Sequence, residues 1–448
     1  MQQDFSNWSE IENLLQNFIP NNSKKLYSGD WGLQRMREIL EKLDNPQNKI
    51  QIFHIAGTSG KGSTAFLLSQ ILESQNLKTG LSLSPYLLDF RERFMINNKF
   101  ADKHVLVENF NSFWQKIEKT VLELKPTYFE LITIFTFYFF WKQKVDVAVI
   151  EVGLGGLMDA TNVITNPDKI SILNQIGFDH TDILGNTLTE IAVQKAGIIL
   201  PKSKVVTIHT VDSEAMKVYK KTANEKNVTL FEITENDYQI LDFQNYSQNF
   251  SYKSKDGEQK INLKMLGDYQ VHNCLLALKA TEIYLPKIDW QKLKEKLAIV
   301  SFVGRFEIET IKNQILILDS AHNPQKMQSF IDNLKIYFPN QKFTFVLAFS
   351  HNKDAETMLD FILPLADKLI FTEFDINQQT PAKKAYPVTE ILEIMKTKKV
   401  NIEIKTFQTP KQAVAEILDS KNPNPIVFTG SIYFLGYVYR EFGKVNLF

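Results

Sequence analysis

Apolar positions in the first half of the chain follow two alternating rhythms. Short unbroken runs, "IQIFHIAG", "TGLSLS", "VDVAVIEVGLGG", "KISILNQIG" and "KVVTIHT", read as buried strands. Between them "TAFLLSQILESQ", "FELITIFTFYFFWKQK" and "LTEIAVQKAGII" carry helical spacing. Strand followed by helix, repeated, predicts a mostly parallel sheet with helices on both faces. Residues 232–262 break the rhythm with polar, weakly alternating sequence, which predicts a peripheral hairpin-like excursion. The helix "YQVHNCLLALKATEIYL" follows. After "LKEKLAIVSFVGRF" the rhythm restarts, with strands in "QILILDSAHNP", "KFTFVLAFS", "DKLIFTEF" and "PIVFTGS". The pattern therefore predicts two α/β units. Residues 1–298 form an N-terminal P-loop-type domain, and 299–448 form a smaller, Rossmann-like C-terminal domain. The junction falls at 299–304, where Gly304 permits a bend.

Composition narrows the classes. At 448 residues the chain exceeds one ordinary core, in keeping with two domains. A formal net charge of +0 argues against a generally basic nucleic-acid or membrane-surface binder. One cysteine, Cys274, excludes an internal disulfide framework and fits a reducing compartment. The start "MQQDFSNWSEIENLL" lacks a basic n-region and an apolar core, so a cytoplasmic protein is expected. The most apolar stretch, Leu131 to Trp141, is shorter than the ~20 residues a membrane span needs, and reads as a buried helix.

The chemistry begins at "GTSGKGST", Gly57 to Thr64, directly after an apolar strand. A turn from strand to helix gathers backbone N–H groups around a concavity, and the helix start adds positive potential. Glycines let an anion approach closely. Lys61 can reach outer phosphates, and a hydroxyl at Ser63 or Thr64 can face magnesium. The spacing differs from the general phosphate-loop pattern, because Gly62 separates Lys61 from Ser63. A guanine-reading Asn-Lys-x-Asp loop is not found: "HNKDAE" places Asp354 one position early.

Other strand ends carry reactive groups. "IEVGLGGLMDATN" supplies Glu151 at the end of a strand, then Asp159 and Asn162; a carboxylate there can bind magnesium. "NQIGFDHTD" supplies Asp179, His180 and Asp182, and "LSLSPYLLDFRERFMIN" supplies Ser84 followed by Arg91, Glu92 and Arg93. In a parallel sheet these ends share one edge, so the groups can converge. Lys195, between Ala192 and Ala196 on a largely apolar helix, reads on its own as an amine that snorkels to water. In the second unit, Arg305 either clamps phosphates held by the first or pins the interface. "LILDSAHNPQ" adds Asp319, His322 and Asn323 at a strand-to-helix turn.

Taken together, "HIAGTSGKGST", "LSPYL" with "ERFMIN", "TYFE", "IEVGLGGLMDATN", "FDHTDILGNTLTEIAVQKAGII", "GDYQVHN", "VGRFE", "DSAHNP" and "FTGSIYFLG" resemble the folylpolyglutamate synthase and dihydrofolate synthase family, within the Mur-ligase group. The likeness runs from about residue 50 to the C-terminus; nearer the start, "GDWGLQRM" resembles a segment that contacts the pterin. The resemblance implies an ATP-dependent amide ligase that joins L-glutamate to a folate or to dihydropteroate. It places the ATP phosphates on Gly57, Thr58, Ser59, Gly60, Lys61, Gly62 and Ser63. It places the adenine at Asn273, further phosphate contact at Arg305, the ribose at Asp319 and His322 close by. Two Mg²⁺ ions fall to Ser84, Glu151 and His180, and Lys195 corresponds to a carbamylated lysine. Lys61, Lys195, His180 and Arg305 form the implied catalytic set. Phe129, Glu130 and Asp159 line the implied pterin pocket. The sequence departs from the family's usual residues at Ser59, Tyr86 and Tyr269. A monomer without nucleic-acid or membrane partners is expected. A Mur ligase acting on a cell-wall precursor is disfavoured because little chain precedes Gly57, and an inactive nucleotide-binding relative is the remaining alternative.

Overall fold

The structure, a computed structural model, describes residues 4–19, 29–311, 313–374, 384–419 and 424–443. The first sheet contains β1 (Gln51–Ala56), β2 (Thr79–Ser82), β3 (Met95–Ile96), β4 (Val147–Glu151), β5 (Ile170–Leu173), β6 (Lys204–Ile208) and β7 (Thr229–Ile233). Their spatial order is β3-β2-β4-β1-β5-β6-β7, all parallel except the short β3. β1 is central, with Ile55 opposite Glu151 on β4 and Ala56 opposite Leu173 on β5.

Strand periodicity decides what each face meets. Phe53 and Ile55 of β1, with Val147 and Val149 of β4, enter the core shared with the helix Lys61–Ser74 and the helix Asp268–Tyr284. Ile52, Ala148 and Ile150 point the other way, into an aromatic layer. That layer is built by the helices Trp8–Gln16, Gly29–Glu41, Lys103–Leu124 and Tyr128–Lys142. The last of these is apolar all round and buried on all sides, as its run of phenylalanines requires. It starts at a capping box in which Thr127 and Glu130 exchange hydrogen bonds.

The excursion expected at 232–262 is an ordered antiparallel sheet of β8 (Tyr238–Gln244), β9 (Ser247–Ser254) and β10 (Gly257–Leu263), whose inward residues Phe250, Tyr252 and Ile261 join the main core. A further sheet holds β11 (Glu307–Ile311), β12 (Gln314–Leu318), β13 (Phe343–Leu347), β14 (Ala366–Thr372), β15 (Glu403–Phe407) and β16 (Ile426–Thr429). Its order is β11-β12-β16-β13-β14-β15, parallel apart from β11. The two edge strands, "EIETI" and "EIKTF", are half polar, which is why apolar patterning overlooks them.

Between the two large sheets, Phe66 stacks on Phe302 with centroids 4.3 Å apart. Gly304 takes φ +66 and packs against Leu87 and Leu435. Tyr337, at the end of the helix Pro324–Tyr337, faces Phe243 of β8 at 4.5 Å. Its hydroxyl accepts from Gly267 N at 2.9 Å and donates to Gln248 Oε1 at 3.3 Å. Among the described residues, no helix is long and apolar enough to cross a membrane.

Candidate functional site

The C-terminal ends of β1, β2, β4 and β5 open on one cavity of about 530 Å³, closed on its far side by the second large sheet's loops. Gly57–Ser63, Ser84, Glu151, His180, Lys195, Asn273, Arg305, Asp319 and His322 all line it. Phe129, Glu130 and Asp159 do not.

The glycine turn is held from beneath. Thr58 N donates to Gln175 O at 2.7 Å, and Thr58 Oγ1 to Gly177 O at 3.0 Å, tying the loop to the chain beyond β5. Gly60, at φ +80, is the N-cap of the helix Lys61–Ser74. A Cβ there would overlap Asn273 Oδ1 and the Asn174 amide. Asn273 Oδ1 accepts from Thr64 Oγ1 at 3.1 Å and Asn174 Nδ2 at 2.9 Å, while Asn174 Nδ2 also reaches Thr64 Oγ1 at 2.8 Å. Thr64 is thereby committed to bracing the loop, which leaves Ser63 as the hydroxyl on the cavity. Asn174 went unnoticed in the sequence; its place one residue past β5, beside the phosphate loop's strand, is the signal that could have found it. Lys61 curls over its own turn, with Nζ 3.0 Å from Gly57 O.

Glu151 is 8% exposed and accepts from Ser84 N at 2.9 Å. Gly62 leaves its carboxylate in view of the loop. Burial raises its pKa, opposed mainly by Lys61, then the Ser84 amide and Arg305. His180 takes the left-handed backbone, φ 51, and is half exposed, with Nε2 3.8 Å from Asp179 Oδ1. No cluster of three His, Cys, Asp or Glu stands ready for a metal among the described residues. One buried carboxylate, one imidazole and one hydroxyl still fit magnesium, a hard ion that completes its shell with water and phosphate oxygens.

Lys195 does not snorkel. It is 3% exposed, and burial first, then Lys61, pushes its pKa down to about 7. Its helix end is clamped by the glycine loop after β4: Leu157 N donates to Gln194 O at 2.6 Å, and Gly156 packs on the Lys195 Cα.

From the second unit, Arg305 bonds Gly304 O at 3.1 Å and the Ser320 hydroxyl, with its guanidinium over the Phe302 ring. Asp319 accepts from Phe306 N and Ala321 N, both at 2.8 Å, and burial raises its pKa to about 6 against the pull of Arg305. Asp354, of the near-miss guanine motif, caps the helix Ala355–Ile362.

The three residues placed in a pterin pocket lie behind the cavity. Glu130 is spent on its capping box and a buried bidentate pair with Arg35, both bonds 2.8 Å. Asp159 accepts from Leu154 N, Thr161 N and Thr161 Oγ1. Phe129 packs against Gly153 and under Arg93, whose guanidinium is 5.2 Å from the ring centre. A small side cavity beside Glu151 and Ser84 is bordered by Phe129 and Arg93. In "GDWGLQRM", Arg35 supplies the partner of Glu130, while Leu33 and Met36 pack into the aromatic layer. Of the departures, Tyr269 borders the main cavity and Tyr86 packs edge-on against Phe90.

Two family models match the chain: "Mur ligase middle domain" over residues 55–281, and "Dihydrofolate synthetase, C-terminal domain" over 305–441. The folylpolyglutamate synthase of Lacticaseibacillus casei is 30% identical over 410 residues, which is 89% of this chain and 92% of that protein. The dihydrofolate synthase/folylpolyglutamate synthase of Bacillus subtilis (strain 168) is 30% identical over 418 residues, covering 90% and 93%. The solved folylpolyglutamate synthase of Mycobacterium tuberculosis, complexed with ADP and AMPPCP, superposes with a TM-score of 0.83 at 25% identity, covering 97% of this chain and 98% of that one.

Proposed function

Because the chain belongs to the folylpolyglutamate and dihydrofolate synthase family, we propose that it is an ATP-dependent ligase adding L-glutamate to a folate, to dihydropteroate, or to both. The observation that carries this is the single cavity in which the phosphate loop, Glu151, His180 and Lys195 meet Arg305, Asp319 and His322 from the other unit. We divide the chain functionally at 298/299 and take it to act as a cytoplasmic monomer.

A carboxylate does not react with an amine in neutral water, since its leaving group would be an oxide. Transfer of the ATP γ-phosphoryl group to the carboxylate gives an acyl phosphate with a stable leaving group. Phosphoryl transfer mainly demands positioning and charge neutralisation. The turn Gly57–Ser63 cradles the phosphates, Lys61 uncurls from Gly57 O onto the outer ones, and Arg305 meets them from across the cavity. Two magnesium ions, held by Ser84, Glu151 and His180, would supply further charge neutralisation when bound. Asn273 stands at the adenine, Asp319 at the ribose and His322 beside them. Lys195 is assigned as a carbamate: burial holds part of the amine neutral near pH 7, the form that takes up CO₂. The pterin enters beside Phe129, with Glu130 and Asp159 shaping the wall behind it. The amine of L-glutamate then attacks the acyl carbon and phosphate departs, leaving an amide. Walls from two units exclude water, which would otherwise hydrolyse the acyl phosphate.

ADP release measured with L-glutamate and either dihydropteroate, tetrahydrofolate or no acceptor tests the reading. Acceptor- and glutamate-dependent release is expected; release with neither pterin overturns it.

A further inference from the structure

Lys195 reaches the cavity wall from the end of the helix Leu188–Ala196, and that helix end is held from two sides. On one side Gln194 O accepts from Leu157 N at 2.6 Å, in the glycine loop after β4. On the other, Ile198 O accepts from Lys169 Nζ at 2.6 Å and from Ser171 Oγ at 3.2 Å. Lys169 stands just before β5 and is fully buried; burial first, then Lys226, pushes its pKa down to about 7. An apolar side chain in its place would avoid the cost of burying an amine, so what this amine holds calls for an explanation.

The two anchors are joined behind the cavity. Asp159 Oδ2 accepts from Leu154 N at 2.8 Å, fixing the start of the glycine loop, and Oδ1 accepts from Thr161 N at 2.9 Å and from Thr161 Oγ1. The hydroxyl's one proton is thereby used, so toward His54 Nε2, 2.8 Å away, Thr161 Oγ1 can only accept. His54 then carries its proton on Nε2. Its ring is fully buried and kept neutral by burial first, then by Lys169, which leaves Nδ1 as a lone pair. Lys169 Nζ fills it at 3.4 Å, the longest link. The donors from Lys169 to Asp159 all point the same way, and the path closes on itself. It runs from Lys169 through His54, Thr161 and Asp159 to the loop 154–157, then through the Lys195 helix end back to Lys169. We propose that this closed circuit positions Lys195 on the cavity wall, with Lys169 as the positioning residue that ties its two arcs; the task given to Lys195 rests on the ligase reading.

Lys169→Met and Thr161→Val cut the circuit at separate links in the full chain, and Thr161→Ser keeps the hydroxyl. Backbone hydrogen exchange reads the circuit directly. Lys169→Met should speed exchange across 154–157, a segment to which Lys169 makes no direct bond, about tenfold, and leave β13, at 343–347, unchanged. The kcat of glutamate-dependent ADP release should fall about tenfold in each cut variant, the scale on which residues supporting a site from behind are felt. The KM values for ATP and L-glutamate should stay within about twofold. Thr161→Ser should recover most of the loss. The double variant should lose no more than either single one, because a circuit cut once is already open, whereas independent defects multiply to about a hundredfold. Exchange across 154–157 that keeps its wild-type rate in Lys169→Met overturns the proposal, and so does a multiplicative double variant. If Thr161→Val does not fold, the exchange result in Lys169→Met decides alone. A wild-type protein that releases no ADP in response to glutamate overturns the ligase reading, while the exchange result still decides whether the circuit exists.

Discussion

Asn273 Oδ1 occupies the space that a side chain on Gly60 would need. The glycine also sits at φ +80, a conformation that costs any other residue about 1 kcal/mol or more. Gly60→Ala must therefore push Asn273 away from Thr64 and Asn174 or distort the loop. The expected result is a KM for ATP raised at least about tenfold, with stability reduced by roughly 1–3 kcal/mol. Steady-state kinetics and thermal unfolding check the two parts separately.

Lys61 lines the cavity yet rests on Gly57 O, so its ammonium is available at little cost when phosphates arrive. Lys61→Ala should leave the fold intact and reduce glutamate-dependent ADP release by about a thousandfold or more, the scale on which a lost phosphoryl-transfer cation is felt. Near-normal turnover would refute the role given to it.

Glu92 is buried and its carboxylate accepts from Leu87, Leu88 and Asp89 N, shaping the loop that follows Ser84. Burial outweighs these bonds and raises its pKa to about 7. The native state then binds the proton more tightly than the unfolded chain. This group's contribution is full below the ordinary value of 4.5 and is lost as pH rises through 7, with a limiting slope of about 1.4 kcal/mol per pH unit. Denaturant unfolding from pH 4.5 to 7 should show that slope flattened in Glu92→Gln.

Lys169 provides the opposite case. It is fully buried, donates to Ile198 O at 2.6 Å and lies 3.4 Å from His54 Nδ1, and burial lowers its pKa to about 7. Here the unfolded chain holds the proton more tightly. Stability is penalised most below pH 7 and recovers as pH rises toward the ordinary 10.5, again at up to about 1.4 kcal/mol per unit. Lys169→Met should flatten the dependence of unfolding free energy between pH 7 and 10. An unaltered slope would show that the lysine is solvated.

In the first sheet β1, β2, β4, β5 and β6 were legible as short, largely apolar runs, while its edge strands β3 and β7 were not, and the convergence of Lys61, Ser84, Glu151 and His180 followed from their places at or beyond the C-terminal ends of parallel strands. Residues whose surroundings come from distant parts of the chain were not. Nothing near Glu130 announces Arg35, which neutralises it from 95 positions earlier. The alanines beside Lys195 gave no warning that the loop after Glu151 would close over it. The edge strands Glu307–Ile311 and Glu403–Phe407 escaped because one of their faces meets water, so half of their positions are polar.

The Tyr337 hydroxyl bonds Gly267 N, the N-cap of the helix Asp268–Tyr284. One turn later that helix bears Asn273, whose amide props up Gly60 through direct contact and through Thr64. The C-terminal unit is thus tied to the phosphate loop by a short train of directly contacting parts. Tyr337→Phe cuts the first link of that train, and the expected outcome is faster ADP dissociation, measured by displacement of a fluorescent ADP analogue.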